Sequence, residues 1–339
     1  MVAALAVSPQ LVPGFGGVTQ IPVDTGDDDI SALSRAGFGR IDVADPDAAM
    51  PAVSIGSLIG SVRVRVVAEL VDTVAVITGA ARGQGRSHAV ALAAEGADII
   101  AIDRCADIDS IPYPLATKDD LDETVRLIEA HGRRVVPVIA DVRDLDALQP
   151  GVQAGVDALG EIDIVVANAG VVAIGLKDPL DQQLYRDIVD TNLAGVWHTI
   201  AATVPSIIRK GRGGSIILTS SAQGLVGKGG DGSAAMFAYA AAKHGVVGLM
   251  RSAANAYAQH NIRVNTVHPS GVGTPMILND HTLRTFQENA NGAALSGNLL
   301  PVPWVESEDV TNVVVFLAGP KARYITGVAL PVDAGHAVM

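Results

Sequence analysis

Short apolar runs alternate with helical repeats from about residue 74 to the end of the chain. The runs are rich in valine and isoleucine, which is typical of buried strands, and they cover residues 74–77, 98–102, 135–140, 164–167, 215–219, 263–267 and 328–332. Between them, apolar positions recur at helical spacing over residues 86–95, 119–130, 145–159, 179–204, 237–260 and 307–318. This alternation predicts a single α/β domain, a doubly wound parallel sheet of about seven strands with helices on both faces.

Residues 1–70 follow neither period. They carry scattered glycines and an acidic cluster at Asp27, Asp28 and Asp29. A segment without a core-forming pattern is typical of loop or disordered chain. We predict that residues 1–70 are an N-terminal extension without fixed structure or the artefact of a start site set too far upstream, and that residues 71–339 form the folded domain. A small regulatory extension is the alternative.

A strand, a glycine-rich turn and a helix follow one another at the start of this domain. The turn carries Gly79, Gly83 and Gly85, with Arg82 and Gln84 among them. Glycines let the backbone approach a pyrophosphate, and a helix N-terminus offers free N–H groups to the negative charge. The context therefore predicts a dinucleotide site, although a tight turn without a ligand would carry the same glycines.

The end of the second strand bears on the choice of cofactor. Asp103 stands about twenty residues after the glycine turn, where a carboxylate accepts hydrogen bonds from the adenosine ribose and repels a 2′-phosphate. Arg82 and Arg104 instead favour NADP, because a guanidinium pairs well with a 2′-phosphate. The carboxylate is the more direct contact, so we predict NAD.

Polar and small residues also follow the later strands. Ligands of parallel sheets bind at the carboxyl ends of the strands, so these residues should meet in one cleft. They are Asp141, Val142, Asn168, Ala169, Gly170, Ser221, Pro269, Gly271 and Val272.

Tyr239 and Lys243 lie four residues apart on a predicted helix, so their side chains share a face. A neighbouring ammonium should lower the pKa of the phenol and let Tyr239 act as a base near neutral pH. The hydroxyl of Ser221 would then hold the reacting oxygen. The same spacing is common in solvated helices, so the assignment depends on the surrounding motifs.

Composition excludes several classes of protein. The net charge of -12 disfavours nucleic acid as a partner, since such binding depends on Lys and Arg. Cys105 is the only cysteine, and His244 and His268 lack partners at metal-ligand spacing, so we predict no metal. We predict no membrane span and no secretory signal, and thus a cytoplasmic protein.

These motifs together resemble the short-chain dehydrogenase/reductase family, a group of Rossmann-fold enzymes. The resemblance implies that Tyr239 is the general acid/base, that Lys243 binds the nicotinamide ribose and that Ser221 orients the substrate. Asn192 resembles the position that holds a water of the proton relay. Thr274 resembles the residue that binds the nicotinamide carboxamide, and the family is commonly homotetrameric.

Two features depart from the common family pattern. Ala167 replaces the first asparagine of the usual Asn-Asn-Ala-Gly, and residues 104–118 form a long insertion after the second strand. The insertion and the Gly-Gln-Gly turn resemble the actinobacterial subgroup coupled to the redox cofactor mycofactocin, which includes carveol dehydrogenases. The hypothesis is that the insertion covers the adenosine half of NAD, so that NAD stays bound and mycofactocin reoxidises it.

The resulting functional prediction is reversible NAD-dependent oxidation of a secondary alcohol to a ketone. The apolar stretch 275–300 should form a mobile flap suited to an alicyclic or terpenoid, carveol-like substrate, or else pack at a subunit interface. The alternatives are an NADPH-dependent 3-oxoacyl-carrier-protein reductase and a catalytically silent dinucleotide-binding protein.

Overall fold

The structure is a computed structural model that describes residues 68–228, 230–288 and 297–338, together with three short strands nearer the N-terminus. The chain divides into two compact units, Met1–Ala68 and Glu69–Met339. In the first unit, Val23–Asp24 and Val53–Ser54 each pair antiparallel with Arg63–Val64. The other residues to which the prediction of an unstructured extension applies lie outside the described part of the chain, and the origin of the extension stays a prediction.

The second unit is built on a sheet of seven parallel strands. The strands are β1 (Val74–Thr78), β2 (Asp98–Asp103), β3 (Val135–Ile139), β4 (Ile164–Ala167), β5 (Gly214–Thr219), β6 (Ile262–Pro269) and β7 (Ala329–Val332). Their order is β7-β6-β5-β4-β1-β2-β3. The chain runs outward from β1 to β3 and then returns to β4 beside β1, which opens a crevice at the carboxyl ends of these two strands.

Helices cover both faces of the sheet. They are α1 (Gly83–Ala94), α2 (Lys118–Glu129), α3 (Leu145–Leu159), α4 (Gln182–Val189), α5 (Gly195–Lys210), α6 (Ala234–Tyr257), α7 (Asp280–Glu288) and α8 (Ser307–Ala318). Along β1, Ala75 and Ile77 pack in the core that includes α1 and α8, whereas Val74 and Val76 pack in the core that includes α3 and α5. Because both faces of β1 are buried, its sequence is apolar throughout, and the predicted doubly wound fold is confirmed. Among the described helices, none has the length and apolar character needed to cross a bilayer.

The compact unit begins two residues before the predicted boundary. Leu70 is 3% exposed and belongs to the core, and its N–H donates to the carbonyl of Glu95 at 2.9 Å. Glu69 forms an ion pair with Lys321, 2.6 Å from Nζ to the carboxylate. The hydrophobic pattern did not identify Glu69 and Leu70, because two residues in the turn before a strand are too few to show a repeat.

The long helix expected over residues 179–204 is interrupted. Asp181 caps α4 by accepting a hydrogen bond from the N–H of Leu184, and a π-helical segment, Asp190–Ala194, joins α4 to α5. In this segment the side chain of Asn192 donates from Nδ2 to the carbonyl of Ile188 at 2.9 Å. A side chain that bonds the carbonyl four residues earlier competes with the helical ladder, which accounts for the wider turn.

Candidate active site

The turn after β1 is so close to the end of β4 that only glycine fits. A Cβ on Gly85 would lie 1.9 Å from the carbonyl oxygen of Gly79, and one on Gly79 would lie 2.9 Å from Cα of Ala169. Gly79 also has a φ of +67°, in the left-handed region. Asn168 closes the contact, because its Nδ2 donates to the carbonyl of Thr78 at 3.1 Å. The turn therefore leaves an open cradle beside the N-terminus of α1.

Asp103 ends β2 and lines the same cleft as the glycine turn. Its two carboxylate oxygens accept hydrogen bonds from the N–H groups of Ala81 and Cys105, at 3.1 and 3.0 Å. Both arginines that argued for a 2′-phosphate have partners inside the chain. Arg82 donates to the carbonyl of Pro114 at 2.7 Å, and Arg104 donates to Asp141 at 2.9 Å. These contacts favour the carboxylate over the guanidinium groups as the determinant of cofactor choice.

An ionic network joins the insertion, the end of β3 and α4. Arg143 binds Asp141 at 2.8 Å and Asp187 at 2.5 Å, and Ser110 of the insertion donates to the other oxygen of Asp187 at 2.8 Å. Burial raises the pKa of Asp141, but hydrogen bonds from Arg143 outweigh it, so the pKa lies below its ordinary value. Asp141 therefore stays ionised at neutral pH.

The insertion packs its apolar side chains into the domain. Ile108, Ile111 and Tyr113 are each 6% or 7% exposed and belong to a cluster with Leu184 and Ile188 of α4. The phenol oxygen of Tyr113 accepts a hydrogen bond from the N–H of Val172 at 3.3 Å, and burial raises the pKa of Tyr113 to about 12. Ile108 and Tyr113 also line the nucleotide cleft, together with Leu115 and Ala116. The insertion is thus a wall of the cleft and has its own core.

Ser221, Tyr239 and Lys243 line one cavity next to that cleft. Nζ of Lys243 donates to the carbonyl of Thr219 at 2.8 Å and lies 5.7 Å from the ring centroid of Tyr239. The side chain of Ser221 is close enough to the Tyr239 phenol to lower its pKa. Lys243 is 3% exposed, and burial lowers its pKa to about 8.

The electrostatics of Tyr239 differ from the sequence-based expectation. Burial raises the pKa of the Tyr239 phenol, and the hydrogen bond to Ser221 lowers it by a smaller amount. The expected lowering by Lys243 is not found, because the lysine is itself desolvated and its ammonium lies over the aromatic ring, bonded to the carbonyl of Thr219. A helical spacing of four places the two side chains together but does not fix which atoms meet.

Asn192 supports the floor of the cavity. Its side chain donates to the carbonyl oxygens of Val171 and Ile188, at 2.7 and 2.9 Å, and accepts from the N–H of Val171 at 3.1 Å. A Cβ on Gly170 would lie 2.6 Å from Oδ1 of Asn192, so this position also requires glycine. The side chain of Asn192 thus joins the π segment to the chain after β4.

One part of the lining of this second cavity is apolar. It is formed by Met276, Ile277, Leu278, Leu283, Phe286, Pro303 and Trp304. Part of the predicted flap over residues 275–300 is α7, and residues 289–296 lie outside the described chain. An apolar wall facing Ser221 and Tyr239 suits a substrate with a single polar end.

The predicted site residues gather into these two adjoining cavities. The nucleotide cleft is lined by Gly79, Arg82, Gly83, Gln84, Asp103, Arg104, Asp141, Val142, Asn168, Ala169, Gly170 and Thr274. The second cavity is lined by Asn192, Ser221, Tyr239, Lys243, Pro269, Gly271 and Val272, and it shares Gln84, Asn168, Gly170 and Thr274 with the first. Gly85 lines neither, because it lies behind the turn against Gly79.

Sequence reasoning missed several lining residues, including Trp304 and His336 of the second cavity. They belong to no motif and come from the last third of the chain, so no periodic signal could have placed them. His268 is buried between the hydroxyl of Thr266 and the carbonyl of Ser221, which is a structural role. Within the described residues, no group of His, Cys, Asp and Glu is arranged to hold a metal ion.

Comparison with known proteins identifies the family. Residues 73–282 match the model of the short chain dehydrogenase family. The chain is 51% identical over 271 residues to (-)-trans-carveol dehydrogenase of Rhodococcus erythropolis, covering 77% of this chain and 96% of that protein.

Solved structures agree. Carveol dehydrogenase from Mycobacterium avium in complex with NAD is 48% identical, with a TM-score of 0.75, covering 80% of this chain and 100% of that chain. A short chain dehydrogenase from Mycobacterium paratuberculosis bound to NAD is 45% identical, with the same TM-score and the same coverage. The family resemblance drawn from the motifs is confirmed, and the chain belongs to the short-chain dehydrogenase/reductase family.

Proposed function

We propose that this enzyme interconverts an apolar alicyclic or terpenoid secondary alcohol, of carveol type, and its ketone. It is an NAD-dependent short-chain alcohol dehydrogenase. The observation that carries the substrate class is the cavity in which Ser221 and Tyr239 face an apolar wall that includes Phe286 and Trp304. The carveol dehydrogenase names of the similar proteins support the same class.

The residues of the nucleotide cleft fit NAD. The glycine cradle leaves room for a pyrophosphate at the N-terminus of α1, and Asp103 is placed for the adenosine ribose. One buried acceptor at the inner end of the cleft, Oε1 of Gln84, has no partner within the described residues. We propose that Lys243 and Tyr239 hold the nicotinamide ribose and that Thr274 holds the carboxamide.

The proposed chemistry is proton transfer at Tyr239 coupled to hydride transfer. Bound at the junction of the cavities, oxidised NAD supplies the hydride acceptor and a positive charge. Ser221 holds the substrate hydroxyl, and Tyr239 as phenolate accepts its proton. Burial raises the pKa of the phenol, and the positive charge that the cofactor would supply when bound is proposed to offset this effect. Asn192 is proposed to hold the water through which the proton leaves.

We further propose that NAD stays bound through turnover and that mycofactocin reoxidises it. The insertion supports this, because Ile108, Ile111 and Tyr113 are buried in the domain while the same segment lines the nucleotide cleft. A cover fixed by its own core and by the bond from Ser110 to Asp187 should slow release.

Purification without added cofactor tests this proposal. The protein is denatured, its nicotinamide content is assayed, and carveol oxidation is followed with free NAD alone and with an artificial electron acceptor. We expect close to one NAD per chain, a single turnover with NAD alone and continuous turnover with the acceptor. Cofactor-free protein that cycles with added NAD would contradict retention and leave an ordinary alcohol dehydrogenase.

We propose a cytoplasmic homotetramer. Trp197 on α5 and Phe237 on α6 are 50% and 63% exposed, and large apolar side chains of this kind are typical of subunit contacts. Light scattering coupled to size exclusion tests the assembly. Phe237→Asp should shift the molar mass towards dimer or monomer, whereas the same change at an exposed site on another face, Tyr324→Asp, should leave it unchanged.

An NADPH-dependent 3-oxoacyl-carrier-protein reductase is the competing enzyme class, and a silent dinucleotide-binding protein is the competing non-enzyme. Initial rates with NAD and with NADPH on the same alcohol and ketone pair distinguish the first. Absence of turnover with any alcohol, in protein shown to bind NAD, would favour the second.

A further inference from the structure

The side-chain carboxamide of Gln84 has an acceptor oxygen that no other group of the described chain uses. Its Oε1 is buried and has no hydrogen-bond partner among the described residues. A buried polar atom without a partner costs free energy, so such an atom commonly marks a ligand contact. Gln84 occupies the first turn of α1, where a packing role alone would be served by an aliphatic residue.

Gln84 lies where the two cavities meet, since it lines both of them. The neighbouring residue Gly83 approaches Thr274 so closely that a Cβ on the glycine would lie 3.3 Å from the Thr274 methyl group. Gln84 therefore lies beside the chain that follows β6, at the inner end of the nucleotide cleft. In the proposed function, a nicotinamide ring bound there would face a substrate held by Ser221 and Tyr239.

The other polar side chains that line both cavities already have partners. Asn168 donates from Nδ2 to the carbonyl of Thr78 at 3.1 Å, and the hydroxyl of Thr274 donates to the carbonyl of Val272 at 3.3 Å. Among the polar side chains that line both cavities, within the described residues, Gln84 is the one with a buried acceptor that has no partner.

Only some groups of NAD can donate to an acceptor there. The pyrophosphate has acceptors alone, and the nicotinamide ribose hydroxyls fall to Tyr239 and Lys243 in the proposed function. The remaining donor is the N–H₂ of the nicotinamide carboxamide, whose two hydrogens allow contacts with both Thr274 and Gln84. We propose that Oε1 of Gln84 accepts a hydrogen bond from this group and thereby fixes the rotation of the ring, which decides the face presented to the substrate. The proposal rests on the proposed function.

The test compares three ligands that differ at this group: NAD, its 3-acetylpyridine analogue and ADP-ribose. The analogue keeps the ring carbonyl but has no N–H₂, and ADP-ribose has no ring. Dissociation constants are measured by calorimetry on protein freed of nucleotide by charcoal treatment. For Gln84→Met, which keeps the side-chain length, we expect NAD affinity to fall about 5- to 20-fold. Affinities for the analogue and for ADP-ribose should change by less than about twofold, since neither makes the bond.

Two further variants control the comparison. Gln84→Glu keeps an acceptor, so the ratio of NAD to analogue affinity should stay as in the wild type even if the added charge weakens both ligands. Gln223 lines the second cavity, but its Nε2 donates to the carbonyl of Lys228 at 2.6 Å, so Gln223→Met should leave the same ratio unchanged.

Equal losses for NAD and the analogue in Gln84→Met would place the side chain on the ring carbonyl, the ribose or the pyrophosphate and overturn the proposal. No loss for either ligand would overturn it as well. Because the readout is binding, these outcomes are separate from a failure of the proposed function, which would appear as wild-type protein that binds NAD but oxidises no alcohol.

Discussion

Shortening one buried side chain of the insertion should speed the release of NAD. Ile111 is 7% exposed, and it packs in the cluster that contains Leu184 and Ile188 of α4. If the insertion must lift off this floor before the cofactor leaves, its buried side chains become exposed on the way. Ile111→Ala removes part of that burial and makes the opening easier.

The size of the effect follows from the buried surface. Truncating a buried isoleucine to alanine loses about 2 kcal/mol or more of burial free energy. Each 1.4 kcal/mol corresponds to about a tenfold change in rate, so release should be roughly 30-fold faster. Ser110→Ala, which removes the hydroxyl bond to Asp187, should give a smaller increase of about fivefold.

Stopped-flow fluorescence measures the release rate directly. Enzyme loaded with NADH is mixed with a large excess of NAD, and the decay of the bound NADH signal is followed. Ile128→Ala is the matched control, because Ile128 is fully buried on α2 in a different core. It should lower the melting temperature by a similar amount without changing release. Equal release rates in wild type and Ile111→Ala would refute the view that the insertion retains the cofactor.

Four other outcomes are expected. Tyr239→Phe should lower kcat at least about 100-fold while calorimetry shows nearly unchanged NAD binding, and retention of a tenth of the activity would contradict the acid/base role. Asp103→Asn should narrow the preference for NAD over NADP by about tenfold in initial rates, because the charge that repels a 2′-phosphate is gone; a wild type that already uses both cofactors would count against the ribose contact. Burial holds the pKa of His88 at about 3, so only the unfolded chain binds a proton as the pH falls below 6.5. The free energy of unfolding measured in urea should therefore be about 2 kcal/mol lower at pH 5 than at neutral pH, and His88→Asn should abolish this pH dependence. A chain that begins at Glu69 should keep the melting temperature of the second unit, whereas a chain that also lacks Glu69 and Leu70 should be about 2 kcal/mol less stable. Failure of the chain from Glu69 to fold would show that upstream residues complete the core.

The fold could be predicted because its signals are local and redundant. Each strand of the sheet is a short apolar run bounded by a turn, and β1 is apolar on both faces because both are covered. The glycine turn could be recognised for a related reason. Gly79 and Gly85 touch each other within a few residues of chain, so the contact that requires glycine is visible in the spacing.

The rest depends on contacts that no local pattern records. The carbonyl of Thr219 holds the ammonium of Lys243, and the ring of Tyr239 lies under it, so the expected pKa effect did not appear. Trp304 and His336 enter the second cavity from loops remote in sequence. The insertion was expected near the adenosine half because it leaves the strand end at Asp103, but its own core with α4 was not foreseen.

The π segment connects the position of the insertion to the floor of the second cavity through one additional helical residue. Leu184 and Ile188 lie before the segment and pack against the insertion, while Asn192 lies within it and holds the chain after β4. Successive residues of an α-helix are rotated by about 100° about its axis. In a regular helix with one residue fewer and Asn192 in the same place, Leu184 and Ile188 would therefore be rotated away from the insertion. In this protein, one additional helical residue allows one side of the helix to pack against the insertion while Asn192 holds the chain after β4.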